Sequence, residues 1–372
     1  MNSLGSLTIL LSTIFAAIGV VLGFLQLVPL FFPAKQPDIS TPPIFINIPP
    51  SQMPMEGDKS TFRGIQAMPP PTDPETILPR KKDVQEVHTR LTQSGTTAIV
   101  LTGIGGIGKS TLAALVFNYV EEQRLTTGLF SGKSLWFSID EKTSFLDLAG
   151  NLFDALDRPL PDFSHLAPQN QAEVLFTLLN TTDRSCLVVL DQFENLLDWN
   201  TGHALAERPG VSEWLDAINS QHCTCRILLT CRLWPHGTRE FPPTCLQEFP
   251  VKDLEVSEGM ELLRKQGVNA SQATDSELRA AVMRFDAHAL ALSLLASILR
   301  HNRSLKLKDL LEEQTYSHAW HGDIARNLLD YIYKVQLDHM QRQLLLAFSV
   351  FRVPVQLEAV QALMKRISPI QL

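Results

Sequence analysis

Charge is missing where the chain begins. Residues 7–33 contain no Asp, Glu, Lys or Arg, and residues 1–6 hold no Lys or Arg. The second absence excludes the basic start of a secretory signal peptide, and the uncharged run is too long for a signal peptide's apolar core. What remains is an expected transmembrane anchor, residues 1–33, long enough to cross a bilayer as one helix. Lys35, Lys59 and Arg63 follow it and nothing basic precedes it, which puts the remainder in the cytoplasm as a single-pass membrane protein. Cysteine is scarce too. Cys186, Cys223, Cys225, Cys231 and Cys245 make no disulfide framework and no C-x-x-C zinc spacing, and their odd number fits a reducing compartment with buried or idle thiols. Basic charge is in deficit, 32 Lys and Arg against 39 Asp and Glu, so a broad nucleic-acid-binding face is excluded and only a local patch stays open. Internal repeats are absent.

Proline, by contrast, is concentrated. About half of the 23 prolines fall in residues 33–79, where fixed φ and lost backbone donors predict an extended linker, residues 34–75, with one alternating run at residues 44–48. The length of 372 residues and 45% hydrophobic content then allow two to three domains. Residues 76–252 alternate strands with helices. Strands are predicted at 97–102, 134–139, 186–190 and 226–230, with a short edge strand at 246–250. Helices are predicted at 81–91, 112–120, 146–156, 171–179 and 211–218. That alternation predicts an α/β fold, a parallel sheet with helices on both faces. Beyond residue 256 the strands stop. Helices at 256–266, 275–285, 287–300, 305–313 and 324–335 predict a separate helical domain, 253–322, and a last helix pair lies in residues 323–372.

The chemistry centres on residues 103–111, GIGGIGKST, between the first strand and its helix. This is the GxxxxGK[ST] P-loop in its confirming context. Gly103, Gly105, Gly106 and Gly108 let backbone N–H groups close around phosphate oxygens, with Ile107 and Thr111 completing the cradle. Lys109 reaches the β- and γ-phosphates, and the Ser110 hydroxyl holds Mg²⁺. Residues 187–191, LVVLD, place Asp191 at a strand's C-terminal end as the second Mg²⁺ group. Glu194 is a candidate base for the attacking water, with Gln192 able to position water but not to deprotonate it. Arg232, just past the fourth strand, is placed to sense a γ-phosphate. No NKxD guanine-reading motif follows, which favours adenine. His318 and His321 have metal-like spacing in a polar turn and read as structural or exposed.

GIGGIGKST, LVVLDQFE at 187–194 and ILLTCR at 227–232 together resemble the NB-ARC type of STAND ATPases, signal-transducing P-loop NTPases related to AAA+ proteins. The resemblance spans roughly residues 75–365. It implies an ATP/ADP-binding switch, closed with ADP and open with ATP, slow hydrolysis, and a homo-oligomer in the ATP state with a protein partner. It also implies that residues 77–80, ILPR, approach the adenine through Leu78 and Arg80, with Pro79 in place of the family's glycine. Residues 287–292, AHALAL, stand where the family has GLPLAL or GHPLAL, with both Gly and Pro lost. Gln192 replaces the second acidic residue that often follows the Mg²⁺-binding aspartate. The helix pair in residues 323–372 resembles the start of a winged-helix domain. Two other readings stay open: a scaffold that holds ADP without hydrolysis, and a conventional turnover ATPase or kinase.

Overall fold

The computed structural model describes residues 62–65, 67–127, 130–181, 185–238 and 244–312, and residue 342. The anchor at 1–33, the run at 44–48 and most of the linker lie outside the described residues. So do His318, His321, the helix at 324–335 and the winged-helix-like region. Among the described residues, no helix is long and apolar enough to cross a membrane.

The described chain forms two compact units. The larger contains residues 62–72 and 79–252 and is built on five parallel strands, β1 (Ala98–Thr102), β2 (Leu135–Ser138), β3 (Leu187–Asp191), β4 (Arg226–Cys231) and β5 (Leu246–Pro250), in the order β2-β3-β4-β1-β5. All five residues of β1 and of β3 are buried, as near-continuous apolar runs demand in a sheet covered on both faces. Alternate residues feed alternate cores. Val188 and Leu190 pack with α3 (Phe145–Ala155), α4 (Pro168–Asn180) and α5 (Val211–Ser220). Leu187 and Val189 pack with α1 (Lys81–Thr92) and α2 (Lys109–Thr127). Local chemistry starts the helices. Ser144 and Asp147 form a reciprocal capping box at α3, and Pro168 opens α4, where its missing N–H costs nothing.

The other unit contains residues 73–78 and 253–312 of the described chain. Its helices are α6 (Val256–Lys265), α7 (Asp275–Arg284), α8 (Ala289–His301) and α9 (Leu307–Glu312), closed around Leu263, Leu278, Phe285 and Leu295.

One expectation is corrected. Cys186 and Cys225 are not idle thiols but a disulfide, with Cα atoms 4.7 Å apart. The pairing follows from the sheet. Leu187 of β3 lies opposite Arg226 of β4, so the two residues just before them are neighbours despite 39 residues of separation. Cys223, Cys231 and Cys245 are free and buried.

Candidate functional site

The P-loop leaves the C-terminal end of β1 and enters α2 at Lys109. Its crown, Ile104 to Gly106, is exposed, while Ile107 and Lys109 are buried. Glycine is required at Gly103 and Gly108. Gly103 has φ +145, and a Cβ there would lie 3.3 Å from the Val251 carbonyl oxygen; Gly108 has φ +104. Lys109 turns back into the bend, its Nζ donating to the carbonyls of Gly103 at 2.7 Å and Ile104 at 3.0 Å. Burial lowers its pKa, and the carboxylate of Glu194 opposes that shift.

Register brings the other groups to the same sheet edge. β4 lies between β1 and β3, so Thr230 and Cys231 stand beside Leu101 and Thr102 on one side and follow Leu229, the partner of Leu190, on the other. Asp191 Oδ1 accepts from Ser110 Oγ at 2.7 Å and from Thr230 Oγ1 at 2.6 Å. Thr230 in turn accepts the Gln192 N–H at 2.8 Å. Asp191 Oδ2 is buried and has no hydrogen-bond partner among the described residues. Burial raises this carboxyl's pKa, against the two hydroxyls. A buried carboxylate oxygen left unpaired beside a hydroxyl is costly unless a cation answers it, so Ser110 and Asp191 fit a magnesium site.

Glu194 lies in a 3₁₀ turn, Phe193–Leu196, and its Oε1 accepts from Arg232 Nε at 3.1 Å. Its Oε2 is buried and unpaired among the described residues. The Arg232 guanidinium carbon would lie 3.9 Å from a Cβ at Gly105, so Arg232 stands directly against the loop crown. P-loop, Asp191, Glu194 and Arg232 thus converge at the carboxyl end of the sheet.

Residues 80–273 match the NB-ARC domain family, more than half of the chain. This chain belongs to the NB-ARC family. An uncharacterized WD repeat-containing protein of Nostoc sp. (strain PCC 7120) is 26% identical over 289 residues, which are 76% of this chain and 22% of that protein. A Signal Transduction ATPase with Numerous Domains with a tetratricopeptide repeat sensor, from Pyrococcus horikoshii, shares the fold at a TM-score of 0.50. It is 16% identical, over 84% of this chain and 39% of its own. The chain therefore spans well under half the length of either.

Within the NB-ARC frame, Arg80 is a strut of the P-loop. It is buried and adopts φ +40. Its Nε donates to Asp83 at 2.7 Å, Nη2 to the Lys252 carbonyl at 3.0 Å and Nη1 to the Ile107 carbonyl at 3.4 Å. Leu78 is buried in the helical unit's core together with Leu254 and Leu262. Ala287, in the family's glycine position, has φ +54, the backbone region a glycine occupies freely. It accepts the Leu254 N–H at 3.3 Å. Sequence reading passed over Thr230, which ties Asp191 to β4. It also passed over Asn195, whose Nδ2 donates to the Ile139 carbonyl at 2.7 Å, beside the Ile139 N–H bond to the Asp191 carbonyl at 2.9 Å.

Proposed function

We propose that this NB-ARC chain is a membrane-anchored adenine-nucleotide switch, resting with ADP and activated by ATP, with slow hydrolysis as its reset. The observation that carries the reading is the Ser110–Asp191 pair under the P-loop bend, with Asp191 Oδ2 buried and unanswered among the described residues. Magnesium would supply charge neutralisation between the β- and γ-phosphates there. The chain's own groups do the rest. Backbone N–H groups of residues 104–109 and the start of α2 hold the phosphates. Lys109 exchanges two carbonyls for phosphate oxygens, a stronger charge-assisted pairing. Thr230 fixes the orientation of Asp191.

The γ-phosphate is the differential ligand, because Arg232 beside the loop crown gains a partner from ATP that ADP lacks. Moving Arg232 also releases Glu194 Oε1, and Glu194 then takes the proton of the attacking water. A base held by the very arginine that must move supports slow turnover. The uncharged run at residues 7–33, about 40 Å as a helix, supports a bilayer anchor with the nucleotide unit in the cytoplasm. ATP-driven assembly into homo-oligomers, and a protein partner that reads it, complete the proposal.

The test is to denature the purified protein, identify any released nucleotide by chromatography, and titrate the nucleotide-free protein by calorimetry. Bound ADP, and heat with ADP or ATP plus magnesium, are expected. Lys109→Ala should weaken affinity by about 10- to 150-fold, the worth of hydrogen bonds to a charged group. No heat with either nucleotide, or an unchanged Lys109→Ala, would overturn the assignment. Rapid steady turnover would favour a conventional ATPase, and retained ADP without phosphate release a scaffold.

A further inference from the structure

The face of α3 formed by Asp147, Gly150 and Asn151 carries a site that the nucleotide chemistry does not use. Four residues within the proline-rich stretch, Phe62-Arg63-Gly64-Ile65, lie along it outside any helix or strand. Asn151 recognises their backbone in both directions, its Oδ1 accepting the Ile65 N–H at 3.0 Å and its Nδ2 donating to the Arg63 carbonyl at 2.8 Å. That is the pattern by which one strand reads another, and it is indifferent to side chains. Selectivity comes from three other contacts. The Arg63 guanidinium forms a two-pronged pair with Asp140, Nη1 to Oδ2 at 2.9 Å and Nη2 to Oδ1, and Nη2 also donates to Thr143 Oγ1 at 3.0 Å. The Phe62 ring lies on the bare Cα of Gly150, where any Cβ would collide with it. Ile65 packs against the core beneath.

The receiving groups are already held by bonds of their own. Asp140 Oδ1 accepts from the Lys142 N–H at 3.0 Å and Thr143 Oγ1 at 2.8 Å. Asp147 spends Oδ2 on the Ser144 cap, leaving Oδ1 to accept the Arg63 N–H at 2.6 Å. Asn151 is fixed by the Asp147 carbonyl at 2.7 Å. A site held in shape by its own turn and cap pays little to bind.

We propose that this face of α3, with Asp140 and Thr143, is a receptor for an aromatic-Arg-X-aliphatic peptide, and that Phe62–Ile65 occupy it as a releasable clasp tying the chain before residue 62 to the nucleotide unit. The clasp closes on Asp140, next to Ile139, whose N–H and carbonyl hold the Asp191 carbonyl and Asn195. Asp140 is thus the sequence neighbour of the residue whose backbone bonds hold Asp191 and Asn195. The proposal concerns peptide binding alone and stands or falls apart from the nucleotide reading.

The test uses the full-length chain in detergent and a fluorescent peptide of residues 59–67. In the wild-type chain the tethered segment competes at an effective concentration in the millimolar range. Arg63→Ala weakens that competitor, so this variant should bind the peptide saturably and at least about tenfold more tightly than wild type. A peptide with its Arg changed to Ala should not bind. Adding Gly150→Ala to the Arg63→Ala chain should abolish binding, and Ala suits a helix interior better than Gly, so lost folding does not account for that result. In Gly150→Ala alone, the Arg63 and Ile65 amides should exchange with solvent at least about tenfold faster than in wild type, once their acceptors are lost. Absent binding to the Arg63→Ala chain, equal binding to wild type, equal binding of the Ala peptide, or unchanged exchange in Gly150→Ala would each overturn the clasp.

Discussion

Among the described residues, Asp191 takes two hydroxyl donors on one oxygen and none on the other, and that lopsidedness is what a sequence hides. Its partner Ser110 was legible from the P-loop pattern. Thr230 was not, because a β-branched residue in a strand reads as a strand former whatever its hydroxyl does. Ala287 shows the reverse case. The resemblance supplied a missing glycine, and the backbone supplies the reason, φ +54 at an alanine. A non-glycine there costs roughly 1–2 kcal/mol, and glycine returns part of that through unfolded-chain entropy. Ala287→Gly should therefore stabilise the chain by about 0.5–1 kcal/mol, seen as a raised denaturant midpoint; a lowered midpoint would contradict the strain. Asp140 gives a pH dependence. The Arg63 hydrogen bond, with help from Thr143 and the Lys142 N–H, holds its carboxyl down to about 2, and Asp147 is a further charge facing Arg63. A depressed folded value means stability present above the unfolded value of about 4 and lost as pH falls from there towards 2. Both side chains are largely exposed, so the pair is worth at most about 1 kcal/mol. Asp140→Asn should lower the unfolding free energy at pH 6 by that amount or less, read as a lowered denaturant midpoint, and the difference should vanish as the pH approaches 2.

At the scale of elements, the strands were the plainest part of the sequence. β1, β3 and all of β4 but Arg226 are buried and so appear as near-continuous apolar runs, each within a residue or two of its predicted bounds. β5 was predicted as an edge strand and is one. Strand order was not legible, and everything that depends on it was lost with it. The Cys186–Cys225 bridge needs β3 beside β4, and so does the hydroxyl link from Thr230 to Asp191. The ion pair of Glu194 with Arg232 joins the 3₁₀ turn after β3 to the end of β4, across 38 residues. Neither residue announces the other in sequence. That pair leads to a prediction about the turn rather than about one charge. Glu194→Gln keeps a hydrogen-bond acceptor for Arg232 but removes the proposed base. Single-turnover hydrolysis should slow by about 10²-fold or more, while ADP affinity stays within about twofold. Equal losses of affinity and rate would mean that the turn shapes the phosphate site instead.

For the molecule as a whole, sidedness and sulfur chemistry bear on each other. The proposed anchor, an uncharged N-terminal run followed by Lys35, Lys59 and Arg63, would orient the nucleotide unit towards the cytoplasm, where ATP is abundant. Cytoplasmic thiols are kept reduced, and disulfides persist on the oxidising side of a membrane. The buried Cys186–Cys225 pair is therefore an internal reporter of which side the unit occupies. Cells producing the full chain should be quenched in acid, unfolded, alkylated with one mass-tagged reagent, then reduced and alkylated with a second. Acid freezes thiol exchange, because the thiolate is the attacking species, and unfolding removes the protection of burial. On the cytoplasmic side the bridge should be held open by reduction, so that Cys186 and Cys225 carry the first tag together with Cys223, Cys231 and Cys245, and the protein should sediment with membranes unless residues 1–33 are deleted. If Cys186 and Cys225 carry the second tag while the other three carry the first, the unit faces an oxidising compartment. The basic residues after the anchor would then fail to set its orientation, and a nucleotide switch would be cut off from its nucleotide.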